Sequence, residues 1–112
     1  MSKIRTSMSI TVMGFREISD GASGHTVSAA GRDQNGKRAE AKMSKKLAML
    51  DIRVGDTIVG EARLSTSEKY EGEGVLVDWA NVSLIKGVVR GESFFDNQYG
   101  SWMAYCYGWS VA

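Results

Sequence analysis

The chain has 112 residues, with 14 Lys and Arg against 13 Asp and Glu for a formal net charge of +1; 43% of it is hydrophobic and 24% charged. Those numbers describe one ordinary soluble domain, large enough for a single core and too small for two, and no apolar run approaches the roughly 20 residues that span a bilayer. A single cysteine, Cys106, and a single histidine, His25, exclude an internal disulfide and leave no cluster for a structural zinc, so a cytoplasmic protein without metal or cofactor is expected.

The opening stretch, MSKIRTSMSITVMGF, carries Lys3 and Arg5 but has neither the continuous apolar region nor the small-residue cleavage site of a secretory signal. Within it Met8, Ile10 and Val12 alternate with Ser9, Thr11 and Met13, the period of a strand. Gly14 interrupts that alternation and predicts a bulge in a long first strand. SDGASG (19–24) is a turn cluster, and HTVSAAG (25–31) a second strand with Val27 and Ala29 on one face. DQNG (33–36) contains Asn35-Gly36, a strong hairpin signal because both residues tolerate positive φ. KRAEAKM (37–43) returns as the third strand, with Ala39 and Ala41 inward and Arg38, Glu40 and Lys42 outward.

The period then changes. In SKKLAMLDI (44–52), Ser44 is a helix N-cap and Leu47, Met49 and Leu50 form the buried side of about two helical turns. Val54-Gly55-Asp56 is a turn, followed by a fourth strand with Ile58, Gly60, Ala62 and Leu64 on one face. STSEKYEGEG (65–74) is a polar connection. VLVDWANVSLI (75–85) is a long fifth strand with Val75, Val77 and Trp79 on one face and Val82 and Leu84 on the other, so a bulge near Ala80-Asn81 is required. Thirteen glycines without a single proline suit a curved sheet with many tight turns and unbroken ladders.

The order is three strands, a short helix and two strands, the plan of an all-β, five-stranded OB-like Greek-key barrel whose helix plugs one end. IRVGDTIVGEARL resembles the entry to the fourth strand of OB-fold nucleic-acid-binding proteins. The glycine-broken first strand and VDWANVSLI are similar to small single-stranded-DNA-binding proteins of phages and plasmids. The resemblance covers residues 8 to 86 and is one of plan and spacing. It implies an oligonucleotide-binding face on strands two and three. The chain ends YCYGWSVA, without the acidic, Pro-Phe-terminated tail by which many bacterial proteins of this class recruit partners.

Charge is distributed unevenly. Residues 1–56 hold ten basic and six acidic groups, and residues 57–112 hold four and seven. The basic half is densest in GRDQNGKRAEAKMSKK (31–46), where Arg32, Lys37, Arg38, Lys42, Lys45 and Lys46 face only Asp33 and Glu40. On an OB plan Arg32, Lys37, Arg38 and Lys42 share one hairpin and would take phosphates, while Lys45 and Lys46 lie on the helix, away from that face. A Lys- and Arg-rich hairpin also serves simply to keep an exposed edge soluble and unpaired.

Single-strand binding further needs aromatic faces on which bases stack. Phe15, after the first bulge, and Tyr70, in the loop before strand five, are placed for that role, with Trp79 either a third platform or a core residue. Seven of the ten aromatics lie near the C-terminus. In MAYCYGWSV the small Ala104, Cys106, Gly108 and Ser110 alternate with Tyr105, Tyr107, Trp109 and Val111, a strand with one thin and one aromatic face. The barrel is therefore assigned to 1–90, and 91–112 to an aromatic extension that packs on the barrel or on a second subunit, favouring a homo-oligomer.

His25 lacks metal-ligating neighbours, the Glu71-Gly72-Glu73 run is solvated loop charge, and Gly21–Gly24 lacks the context of a phosphate-binding P-loop. No catalytic constellation is visible, so an enzyme is not expected. The expected function is binding of single-stranded DNA or RNA; the alternative is a phage- or plasmid-type protein-binding or inhibitor module that docks through Tyr105, Tyr107 and Trp109. A sugar-binding barrel lacks the Asp and Asn cluster it would need.

Overall fold

The computed structural model describes residues 4–19, 25–65 and 74–94. Five strands and one helix follow in the expected order: β1 Thr6–Ser19, β2 His25–Asp33, β3 Arg38–Lys42, α1 Lys45–Ala48, β4 Thr57–Leu64 and β5 Val75–Ile85. They close into a barrel in the order β1-β2-β3-β5-β4, the five-stranded arrangement of an OB-like fold.

Closure depends on β1 serving two neighbours. Its first half pairs with β4, from Thr6↔Ala62 to Thr11↔Thr57, and its second half with β2, ending at Ser19↔His25. The β1–β2 register slips between Val12 and Gly14, where the broken alternation predicts a bulge, and this lets one strand curl around the barrel. The approach is tightest beside it. A Cβ on Gly31 would fall on the backbone carbonyl of Thr11, so only glycine fits there. The last seam, β3 against β5, is parallel and short, with only Glu40↔Val75 and Ala41↔Leu76 in register.

Strand alternation determines the core. Ile10 and Val12 of β1, Val27 and Ala29 of β2, Ala39 and Ala41 of β3, and Ile58 and Ala62 of β4 all point inward and are buried. β5 departs from the expected phase. It carries two register shifts against β4, and both Asp78 (φ 55°) and Asn81 (φ 53°) take left-handed backbone conformations. The Asn81 irregularity matches the expectation; the one at Asp78 adds a half-turn, so Leu76 rather than Val77 lies inside with Trp79. Val75 and Val77 instead form a small separate cluster.

The helix is shorter than its sequence suggests. Ser44 caps it, its hydroxyl accepting from the Leu47 N–H at 3.3 Å, but it ends after four residues. Leu47 and Ala48 are buried, while Met49, expected in the core, is 78% exposed because the helix has already ended. Phe94, from the segment assigned to the aromatic extension, belongs to the core. It is 1% exposed, its N–H donates to the Ile52 carbonyl at 3.2 Å, and its ring lies 6.1 Å from that of Phe15.

The Val-Gly-Asp turn explains how residues 86–94 are held. Gly55 has φ 100°, and a side chain there would meet the Val89 carbonyl. Val54 exchanges backbone bonds with Glu92 and Gly91, both at 2.9 Å. Asp56, fully buried, accepts from the N–H groups of Arg53 (3.0 Å) and Gly87 (2.9 Å) and takes both ends of the Arg90 guanidinium at 2.9 Å. Burial alone would push the Asp56 carboxyl up, but the Arg90 hydrogen bonds, the two backbone donors and the Arg90 charge together hold it below the usual range.

Candidate nucleic-acid interface

The β2–β3 hairpin turns through Asp33–Lys37. The Gly36 N–H donates to the Asp33 carbonyl at 3.0 Å, and Gly36 alone takes positive φ, at 78°, while Asn35 does not. The Asp33 carboxylate accepts from the N–H groups of Asn35 (2.8 Å) and Lys37 (3.0 Å), so this acid is committed to the turn. Gln34 reaches across to β1, accepting from the Ser9 N–H at 3.1 Å and donating to the Ser7 carbonyl at 3.3 Å. The hairpin tip is thereby tied to the barrel.

Register then sorts the side chains. Arg32 sits directly opposite Arg38, and Ser28 opposite Lys42, while Arg16 of β1 pairs with Ser28. Ala29, Ala39 and Ala41 of the same strands are in the core, so Arg16, Arg32, Arg38 and Lys42 share the outer face, with Lys37 at its tip. At about 3.3 Å per residue, Arg38 and Lys42 stand roughly 13 Å apart along β3. Two like charges in direct cross-strand register disfavour each other. Arg32 also donates to the Gly36 carbonyl at 3.1 Å.

Glu40 lies between Arg38 and Lys42 on this outer face. It was expected to point outward into solvent, yet its side chain is completely buried. Arg16 covers it with bonds of 2.6 and 2.9 Å, and the Ser28 hydroxyl donates at 2.8 Å. Burial pushes this carboxyl up, but the bonds from Arg16 and Ser28 and the charges of Arg16 and Arg38 outweigh that and hold it below its ordinary value. The acid of the face is thus neutralised by a cation that the sequence reading did not include.

The cationic surface extends beyond the hairpin. A cleft of about 470 Å³ opens where β3 leaves β5, lined by Arg5, Lys42, Lys45, Lys46, Asp78 and Trp79 among others. Four cations meet one acid there, and the Asp78 carboxylate is engaged by Arg63. The Arg5 guanidinium donates to the Asp78 carbonyl at 2.6 Å, and the Lys46 ammonium to the Trp79 carbonyl at 3.3 Å. Both carbonyls belong to the irregular stretch of β5 between Val77 and Ala80. Lys45 and Lys46, placed away from the binding face on sequence grounds, adjoin it through Lys42. No local pattern brings Arg5 to them; only barrel closure does.

Of the three stacking candidates, the two that are described, Phe15 and Trp79, are not brought to this surface. Trp79 is 5% exposed, and its indole N–H donates to the Leu76 carbonyl at 3.3 Å. Gly60 leaves room for its ring. It is a core residue, the second of the two roles open to it in the sequence, and is no base platform. Phe15 sits opposite the buried Ala29, half-buried against Phe94, on the inner side of the sheet. Tyr70, Tyr105, Tyr107 and Trp109 lie outside the described residues, and of His25 only the backbone is described.

Among the described residues no group of three or more His, Cys, Asp or Glu could hold a metal ion, and no helix is long and apolar enough to cross a membrane. Comparison with protein-family models, curated proteins and solved structures finds no match to this chain.

Proposed function

We propose that this is a non-enzymatic, single-stranded nucleic-acid-binding protein that holds a phosphate backbone along the outer face of the β2–β3 hairpin. The observation that carries the reading is the convergence of Arg32, Arg38 and Lys42 on one sheet face with Lys37 at its tip. The Arg32–Arg38 opposition, unfavourable without an anion, is relieved by a phosphate between the two guanidinium groups. A curved face whose cations run over roughly 13 Å suits a flexible single strand better than a stiff duplex. Arg5, Lys45 and Lys46 continue the track past Lys42.

Four phosphate contacts on a single strand give a slope of roughly −2.8 in log affinity against log salt, at about −0.7 per contact. Replacing Arg38 and Lys42 together by Ala makes the slope shallower by about 1.4. The measurement is oligonucleotide fluorescence anisotropy from low to moderate salt, and an unchanged slope removes both residues from the interface.

A further inference from the structure

The same hairpin borders a second concavity. A pocket of about 410 Å³ opens at the barrel end where β1 begins, β4 ends and β5 starts. Its volume lies within the range of small-molecule sites, roughly 300–1,000 Å³. Its apolar floor includes Ile4, Met8, Leu64 and Leu76, and its rim carries Lys37, Arg38 and Arg63.

Two of the floor residues are anomalous. Leu64 has the inward phase of Ile58 and Ala62, and Ile4 leads into β1 two residues before Thr6, yet Leu64 is 62% and Ile4 74% exposed. Among the described residues these aliphatic side chains stand open at the barrel mouth and form an apolar surface. The rim is cationic in excess. Asp33, the acid beside it, is spent on the turn, and Arg63 is held in place by Asp78 and by a 3.4 Å bond to the Leu64 carbonyl. Lys37 and Arg38 make no side-chain hydrogen bond with the described residues, and Arg38 also belongs to the phosphate-binding face.

An apolar floor under a basic rim, continuous with a phosphate track, matches a flat heterocycle attached to a phosphodiester. We infer that the barrel mouth takes one unstacked nucleobase of the bound strand on Ile4 and Leu64, while Lys37 and Arg38 hold its flanking phosphates. This inference rests on the nucleic-acid reading above. It assigns the base contact to aliphatic side chains; among the described residues Trp79, Phe15 and Phe94 all pack in or against the core.

The test compares an oligothymidylate with an abasic oligonucleotide of equal length, using the full chain and an Ile4→Gln/Leu64→Gln variant whose fold is checked by circular dichroism. The wild type is expected to bind the thymidine strand about tenfold more tightly than the abasic one, the effect of removing roughly 55 Å² of apolar surface from water. The variant is expected to bind both strands equally, at the wild-type abasic affinity and with the wild-type salt slope. A variant that keeps the preference, or a wild type without one, overturns the base pocket and leaves the phosphate reading standing. A wild type that binds neither strand overturns both. Perturbation of the Leu64 and Ile4 methyl resonances by a fatty acid but not by the oligonucleotide also overturns the inference.

Discussion

Asp56 provides the sharpest test of how this barrel is held together. Its carboxylate is fully buried and accepts four hydrogen bonds, from the backbone N–H groups of Arg53 and Gly87 and from two nitrogens of Arg90. Its own backbone is also committed, since its carbonyl accepts from the Val12 N–H at 2.8 Å beside the β1 bulge. Replacement by Ala removes only the side chain and leaves two backbone donors without their acceptors. Each orphaned donor costs about 1–2 kcal/mol, and loss of the Arg90 anchor adds about 1 kcal/mol, for about 3–5 kcal/mol in all. For a chain of this size, at about 4 °C per kcal/mol, the melting temperature falls by about 12–20 °C.

Asp56→Asn keeps the shape and one acceptor but turns an NH2 toward donors, so about 2 kcal/mol is expected. Arg90→Ala destabilises in the same direction. Urea denaturation followed by far-ultraviolet circular dichroism measures all three. An Asp56→Ala protein within 0.5 kcal/mol of wild type would refute the clamp and leave residues 86–94 only loosely attached.

The pH dependence follows from the two buried carboxylates. Glu40 and Asp56 are both held below their ordinary range in the folded state, so their contribution to stability is complete above the unfolded carboxylate values and is lost as pH falls through them. Urea midpoints should therefore be level from pH 7 to about 5 and decline below that, with Glu40→Gln showing a shallower decline; a profile flat to pH 3 contradicts the prediction. Leu47→Ala should cost about 2–4 kcal/mol, whereas Met49→Lys, two residues further on and exposed just past the helix, should stay within about 0.5 kcal/mol; equal effects would place Met49 back in the core. Gly31→Ala puts a methyl on the Thr11 carbonyl and should cost upwards of about 3 kcal/mol in the same denaturation assay, and a neutral result would contradict the close β1–β2 approach.

Much of the architecture could be read from local pattern. Alternation marks all five strands, Gly14 and Asn81 mark irregularities in two of them, Gly36 marks the hairpin, and Ser44 caps the helix. These features are legible because each depends on side-chain period or backbone freedom within a few residues. The hairpin cations are legible for the same reason. Once β2 and β3 pair through Gly36, alternation alone puts Arg32, Arg38 and Lys42 on one face.

What the sequence could not show depends on contacts between distant residues. Asp56 and Arg90 are 34 positions apart, Arg16 and Glu40 are 24, and neither pair has a periodic signature. The second bulge of β5 shifts which valines and leucines face inward, because pairing with β4 rather than the strand's own hydrophobicity determines the phase. Phe94 reads only as part of the aromatic extension until the Val-Gly-Asp turn draws its segment against the barrel. Alternation and turn chemistry act between neighbours in the chain and so specify the strands and the cationic hairpin. Closure of the barrel joins groups far apart in sequence, and it alone brings Arg5 to Lys42, buries Trp79 and leaves Ile4 and Leu64 open at the mouth.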